Sequence, residues 1–148
     1  MNWTQYFPLL GFKFDFIGII ETKIQISSNS KISKPPPPFD IDKEGYKCYS
    51  TPAEGTNGGS LIYISDKFDS KPRKDLDSIM YTSKYLESTF REIINNKGKN
   101  IIVGCIYMHP SMNLEEFNDR TSEMLEKLRK ENKQIYLMGD FNIDLMKI

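Results

Sequence analysis

Two acids, Glu21 and Asp140, each stand at the C-terminal end of an apolar run, and the carboxyl ends of strands are where α/β sheets form their binding sites. Position alone does not separate such acids from those that end a strand to open a turn or cap a helix. Asp140 carries more information, because Asn142 follows it two residues on and an i, i+2 pair on extended backbone projects to one side. The pair offers a carboxylate beside an amide. The carboxylate can bind a hard cation or orient a water, and the amide can donate to a phosphate oxygen. An Asx-type turn closing the strand would use the same two residues structurally. Tyr107, at the end of a further apolar run, reads equally as an amphipathic strand-end residue or as a donor. Glu87 opens another such run and reads as structural.

The elements that must position these residues follow from local pattern. The β-branched and aromatic run from Phe14 to Ile20 suits a strand covered on both faces, with Glu21 at its end. Tyr46 to Ser50 is a second strand. Asn57-Gly58-Gly59 supplies residues that tolerate positive φ, and Ser60 to Ser65 then alternates Leu61 and Tyr63 against Ile62 and Ile64. Tyr85 to Ile94 and Asn100 to Tyr107 form a predicted antiparallel hairpin. Asn113, with Glu116 three residues on, resembles a capping box. It opens a helix whose apolar face would comprise Leu114, Phe117, Met124, Leu125 and Leu128, with Thr121 on the same side. Gln134 to Met138 is a last buried strand leading into Asp140. Thr4 to Phe12 suggests the remnant of a helix, with Pro8 near its start. Residues 22–44, with Ser and Pro35 to Pro38, read as a surface loop; a site for a proline-reading module is the alternative to a spacer.

At 148 residues, 39% hydrophobic and 12% aromatic, the chain suits one folded domain rather than a disordered segment. Its 20 basic and 20 acidic residues cancel, so net charge provides no argument for a nucleic-acid partner and any such contact must come from local patches. The densest basic stretches, Lys67 to Lys74 and Lys127 to Lys133, are interleaved with acids and read as solvated faces. Cys48 and Cys105 fall in strand-like runs as small hydrophobes. Two cysteines and one histidine exclude a structural zinc site at the usual spacings, so a metal would be held by oxygen. Lys13 and Asp15 interrupt the N-terminal apolar stretch, which leads us to expect neither a signal peptide nor a membrane span.

Five segments in order carry a family resemblance. Ile19-Ile20-Glu21-Thr22-Lys23 resembles the first acidic motif of the endonuclease/exonuclease/phosphatase superfamily. Gly58-Gly59-Ser60-Leu61-Ile62-Tyr63-Ile64 and Leu86 to Ile93 resemble the two strands that follow it. Ile106-Tyr107-Met108-His109-Pro110-Ser111 is similar to a Tyr-x-x-Pro segment, and Tyr136 to Asp144 to the Gly-Asp-Phe-Asn signature. The wording is nearest to the endonuclease domains of non-LTR retrotransposons.

The resemblance implies an α/β fold, part of a four-layer sandwich in which two mixed β-sheets pack face to face with helices outside. It implies that Glu21 is a magnesium ligand (manganese being the other candidate) and that Asp140 orients or deprotonates the attacking water. Asn142 would help hold the phosphate and that water, and Tyr107 would donate to a phosphate oxygen or the leaving oxygen. DNA is the implied partner, nucleus or cytoplasm the implied location, and in a complete element a reverse transcriptase would follow. The family's early asparagine strand and its closing Asp-His pair have no counterpart here, and His109 stands in the Tyr-x-x-Pro loop. The chain is therefore expected to be a single domain incomplete at both ends. Two other readings stay open: a relative acting on another phosphoester, since fold and core motifs do not fix substrate, and a noncatalytic interaction module.

Overall fold

The structure is a computed structural model that describes residues 13–24, 42–53 and 58–143. Strands β1 (Phe16–Ile20), β2 (Tyr46–Thr51) and β3 (Ser60–Ser65) form an antiparallel sheet in the order β1-β3-β2. A second sheet contains β4 (Ser70–Pro72), β5 (Leu86–Ile93), β6 (Ile101–Met108) and β7 (Gln134–Asp140), in that order. Its pairings are antiparallel except β6 with β7, which is parallel. A parallel step requires a crossover, and α2 (Leu114–Lys130) supplies it, lying beside α1 (Lys74–Ile79).

Side-chain alternation sorts the second sheet into two faces. Leu86 and Phe90 of β5 and Ile102, Ile106 and Met108 of β6 turn toward Leu76, Met80, Phe117, Met124 and Leu128, forming the core beneath the helices. Val103, Cys105 and Ile93 turn the other way, onto Ile62 and Ile64 of β3, with Phe16, Ile20 and Met138 packed against them. This second cluster joins the sheets face to face. At Gly18 the sheets approach so closely that a Cβ would lie 3.0 Å from Cys105 Sγ and 3.0 Å from Met138 Cβ. On the far face of β3, Leu61 and Tyr63 pack with Ile17 and Ile24. Consecutive apolar residues in β3 are thus explained by burial on both faces.

The expected fold class is present: α/β, two sheets face to face, helices outside. The first sheet is antiparallel throughout and the second is mixed, and among the described residues no helix covers the outer face of the first sheet. The predicted strands, the β5–β6 hairpin and helix α2 all form, and Asn113 Oδ1 caps α2 by accepting from Glu116 N at 2.9 Å. The reciprocal arm of a capping box does not, because the Glu116 carboxylate binds the Thr82 hydroxyl and Arg120 instead. The α2 face is narrower than its periodicity suggested. Leu114 and Leu125 are 43% and 45% exposed, and only Phe117, Met124 and Leu128 are buried. Strand β7 is a second correction. It is half-exposed rather than buried, with Tyr136 at 57%, because no strand pairs with its outer edge among the described residues. The connection before Tyr85 contains β4 and α1, which were too short to show a period. The expected helix at 4–12 and most of the 22–44 loop lie outside the described residues.

The basic stretches are not merely solvated. Arg73, from the first, is buried, and its guanidinium binds Asp75, Glu131 and Glu92, while Lys133 from the second reaches Glu92 at 2.5 Å. Burial would raise the pKa of Glu92, but the hydrogen bonds from Lys133 and Asn100, with Lys133 and Lys71 charges, outweigh it and bring it down to about 2. A carboxylate depressed below its unfolded value stabilises the fold above the unfolded pKa, and that contribution is lost as pH falls through the folded one. Glu92→Gln is therefore expected to cost about 3 kcal/mol near neutrality, a cost that shrinks between pH 4.5 and 2. Urea denaturation of both chains across that interval measures it, and a pH-independent difference would contradict the assignment.

Candidate active site

One end of the sandwich collects the C-terminal ends of β1, β6 and β7 and the N-terminal ends of β3 and β5. The register makes this necessary. Tyr107 pairs with Glu87 across the antiparallel β5–β6 ladder and with Asp140 across the parallel β6–β7 ladder. By the same alternation that sends Val103 and Cys105 between the sheets, Tyr107 faces inward, and its partners in register share that face. Glu21 follows the last residue of β1, which packs against β6 and β7.

Three carboxylates therefore surround one phenol. The Tyr107 hydroxyl donates to Glu21 Oε1 at 3.1 Å, longer than the roughly 2.6 Å usual for a hydroxyl on a carboxylate. Burial first, then the bond to Glu21 and the charges of Glu21, Asp140 and Glu87, push its pKa up to about 12. It is consequently a protonated donor at neutral pH. The Glu21 side chain itself is exposed, as is Asp140.

Asp140 and Asn142 do form an Asx-type turn, with Asn142 N donating to Asp140 Oδ1 at 2.9 Å. Asn142 Nδ2 donates to the Met108 carbonyl at 2.7 Å, tying the segment after β7 to the end of β6. These bonds are structural, and they hold both residues at the same end of the sandwich. Glu21 also holds a strained backbone, with φ of 52° in the left-handed region, a region that Asn142, at 46°, tolerates more readily. Such conformations cost an L-residue about 1–3 kcal/mol and cluster at functional sites.

The wall beneath is polar and bonded. Gly59 N donates to Glu87 Oε2, Thr51 Oγ1 donates to the Ser88 carbonyl at 2.6 Å, and Thr89 Oγ1 lies 2.8 Å from the hydroxyls of both Ser60 and Thr51. Sequence reasoning gave Glu87 no place here. The available signal was its phase, since Glu87 alternates with Thr89, Arg91 and Ile93 on the face opposite Leu86 and Phe90.

Among the described residues no three His, Cys, Asp or Glu side chains converge as a metal cluster. The donor set nevertheless fits magnesium, which takes one or two carboxylates and keeps several waters. Glu21 offers an exposed carboxylate oxygen beside a hydroxyl donor. His109 is outside this set: its Nδ1 accepts from Ser111 N at 3.1 Å and its ring packs edge-on to Tyr85.

No family model matches the sequence, and no curated protein matches it. Solved structures similar to this chain include the endonuclease domain of TRAS1, a telomere-specific non-LTR retrotransposon, at 16% identity, covering 70% of this chain and 44% of that one with a TM-score of 0.49. The catalytic domain of Xenopus laevis APE2 is similar at 14% identity, covering 95% of this chain and 54% of that one with a TM-score of 0.47. The chain spans about half the length of these solved relatives. Among the described residues no helix is long and apolar enough to cross a membrane.

Proposed function

We propose that this chain carries the site of a divalent-metal-dependent phosphodiesterase, a DNA-nicking endonuclease of the retrotransposon type. Glu21 holds Mg2+ or Mn2+, Asp140 orients and deprotonates the attacking water, Asn142 helps hold the phosphate and that water, and Tyr107 serves the leaving group. The cation, when bound, offsets charge on the phosphoryl oxygens. The observation that carries this reading is the buried Tyr107 phenol, bonded to Glu21 and held protonated between carboxylates from three strands or strand ends. As a water oxygen bonds to phosphorus, its proton passes to Asp140 and the P–O bond to the leaving oxygen breaks. A departing sugar alkoxide is more basic than even this tyrosine, so the proton moves from Tyr107 to it, after which solvent reprotonates the phenol and takes the proton from Asp140. DNA is the substrate carried to this end of the sandwich, in the nucleus or cytoplasm and, in a complete element, beside a reverse transcriptase.

Glu21→Gln keeps the shape of the side chain and its acceptor for Tyr107 but removes the charge a hard cation needs. It is expected to raise the magnesium concentration for half-maximal plasmid nicking about tenfold or more. An unchanged magnesium dependence would show that Glu21 is not the ligand.

A further inference from the structure

The geometry points to Glu87 as a positioning residue that sets the metal-binding conformation of Glu21 without touching the cation, an inference that rests on the reading of Glu21 just proposed. Glu87 is buried, 3% exposed, at the start of β5, and its Oε2 accepts the Gly59 N–H. The paired glycines lie directly on this carboxylate. Both have positive φ, 102° and 86°, and a Cβ on Gly58 would stand 2.6 Å from Glu87 Oε2 and 3.0 Å from its Cδ. A Cβ on Gly59 would collide with the Thr22 hydroxyl on the other side. The glycines are thus a thin plate between the Glu87 carboxylate and the segment that carries Glu21.

That plate transmits position through backbone bonds. Thr22 N donates to the Gly59 carbonyl at 3.3 Å and Lys23 N to the Gly58 carbonyl at 3.0 Å. These bonds fix the residues immediately after Glu21 while Glu21 and Lys23 hold φ of 52° and 55°. Two successive departures from ordinary backbone around a single residue persist only where the surroundings over-determine them. Here the surroundings are the glycine carbonyls, and the glycine amide is anchored by Glu87. Glu87 also faces Tyr107 in register, so the same buried side chain lies beside the strand that carries the hydrogen-bond partner of Glu21. Outer-shell groups of this kind are typically worth 10–100-fold in metal affinity.

The test compares Glu87→Gln, Glu87→Asp and the unaltered chain by Mn2+ titration followed by electron paramagnetic resonance, with melting temperature measured on the metal-free proteins. Glutamine retains an acceptor of the same reach for Gly59 N–H. Aspartate retains the charge but is one methylene too short. Mn2+ affinity is expected to fall 10–100-fold in Glu87→Asp and to stay within a few-fold of the unaltered chain in Glu87→Gln. An aspartate variant that melts cooperatively and binds Mn2+ as tightly as the unaltered chain would overturn the inference alone. Loss of affinity in the glutamine variant equal to that in aspartate would overturn it too, since it would assign the effect to charge rather than to the bond with Gly59. An unaltered chain that binds no Mn2+ would instead remove the reading of Glu21 on which the inference stands.

Discussion

Asp140→Asn is expected to slow magnesium-dependent nicking by about 10²–10⁴-fold, the range typical of a lost general base. The melting temperature should meanwhile change little. The separation follows from where Asp140 sits. Its side chain is exposed at the end of β7, and its one structural bond among the described residues, Oδ1 accepting from Asn142 N, can be made equally by the oxygen of an asparagine amide. The Asx-type turn, the Met108 tether and the core therefore survive the change. What is lost is a group able to take a proton from water. Initial nicking rates together with thermal melts measure both quantities. A rate within a few-fold of the unaltered chain would exclude Asp140 as the base, and a collapse in melting temperature would mean that the turn depends on the charge.

Gly139→Ala, one residue earlier, should do the opposite and remove the fold. Gly139 has a φ of 140°, and its register partner in the parallel ladder is Ile106. A Cβ there would lie 2.8 Å from the Ile106 carbonyl carbon and 2.9 Å from its nitrogen, and nearer still to its oxygen. These are backbone atoms of a central strand, so no rotamer change relieves the clash; β7 would have to leave β6. The expected cost is about 4 kcal/mol or more, of the size reserved for a few severe mechanisms. Gly45 is the internal control. It too has a positive φ, 80°, yet nothing lies within 4 Å of a Cβ built on it. Gly45→Ala should therefore cost only the backbone strain, about 1–2 kcal/mol. Denaturant midpoints of the two variants decide the matter, and equal costs would refute the close approach at Gly139.

The contrast between neighbouring residues indicates what was legible in the sequence. Strands β3 and β6 were readable because runs rich in β-branched and aromatic residues, six and eight long, have few alternatives. The α2 cap was readable because Asn113 and Glu116 have a local mechanism. Strand β4 and helix α1, of three and six residues, are held by contacts distant in sequence and left no periodic trace. One of those contacts is the bond from Phe90 N to Asp77 Oδ1, at 2.7 Å. The burial of β7 was overestimated because apolar composition reports affinity for a core, not whether a further strand covers the edge.

At the site, Glu21, Tyr107, Asp140 and Asn142 could be named through the resemblance of their segments to the superfamily's motifs, since standing at the end of an apolar run does not by itself separate a functional residue from a structural one. Their mutual arrangement could not, since it depends on the Tyr107 register with both Glu87 and Asp140. Glu87 illustrates the limit. Its carboxylate acts through a glycine amide far away in the chain, a relation between strands that no local pattern encodes.

The most direct measurement is nicking of supercoiled plasmid by the purified chain, with magnesium or with chelator, beside Asp140→Ala prepared identically. Nicking by the unaltered chain is expected to require magnesium and to disappear both with chelator and in the variant. Folded protein that treats the plasmid identically under all these conditions would contradict the proposed function.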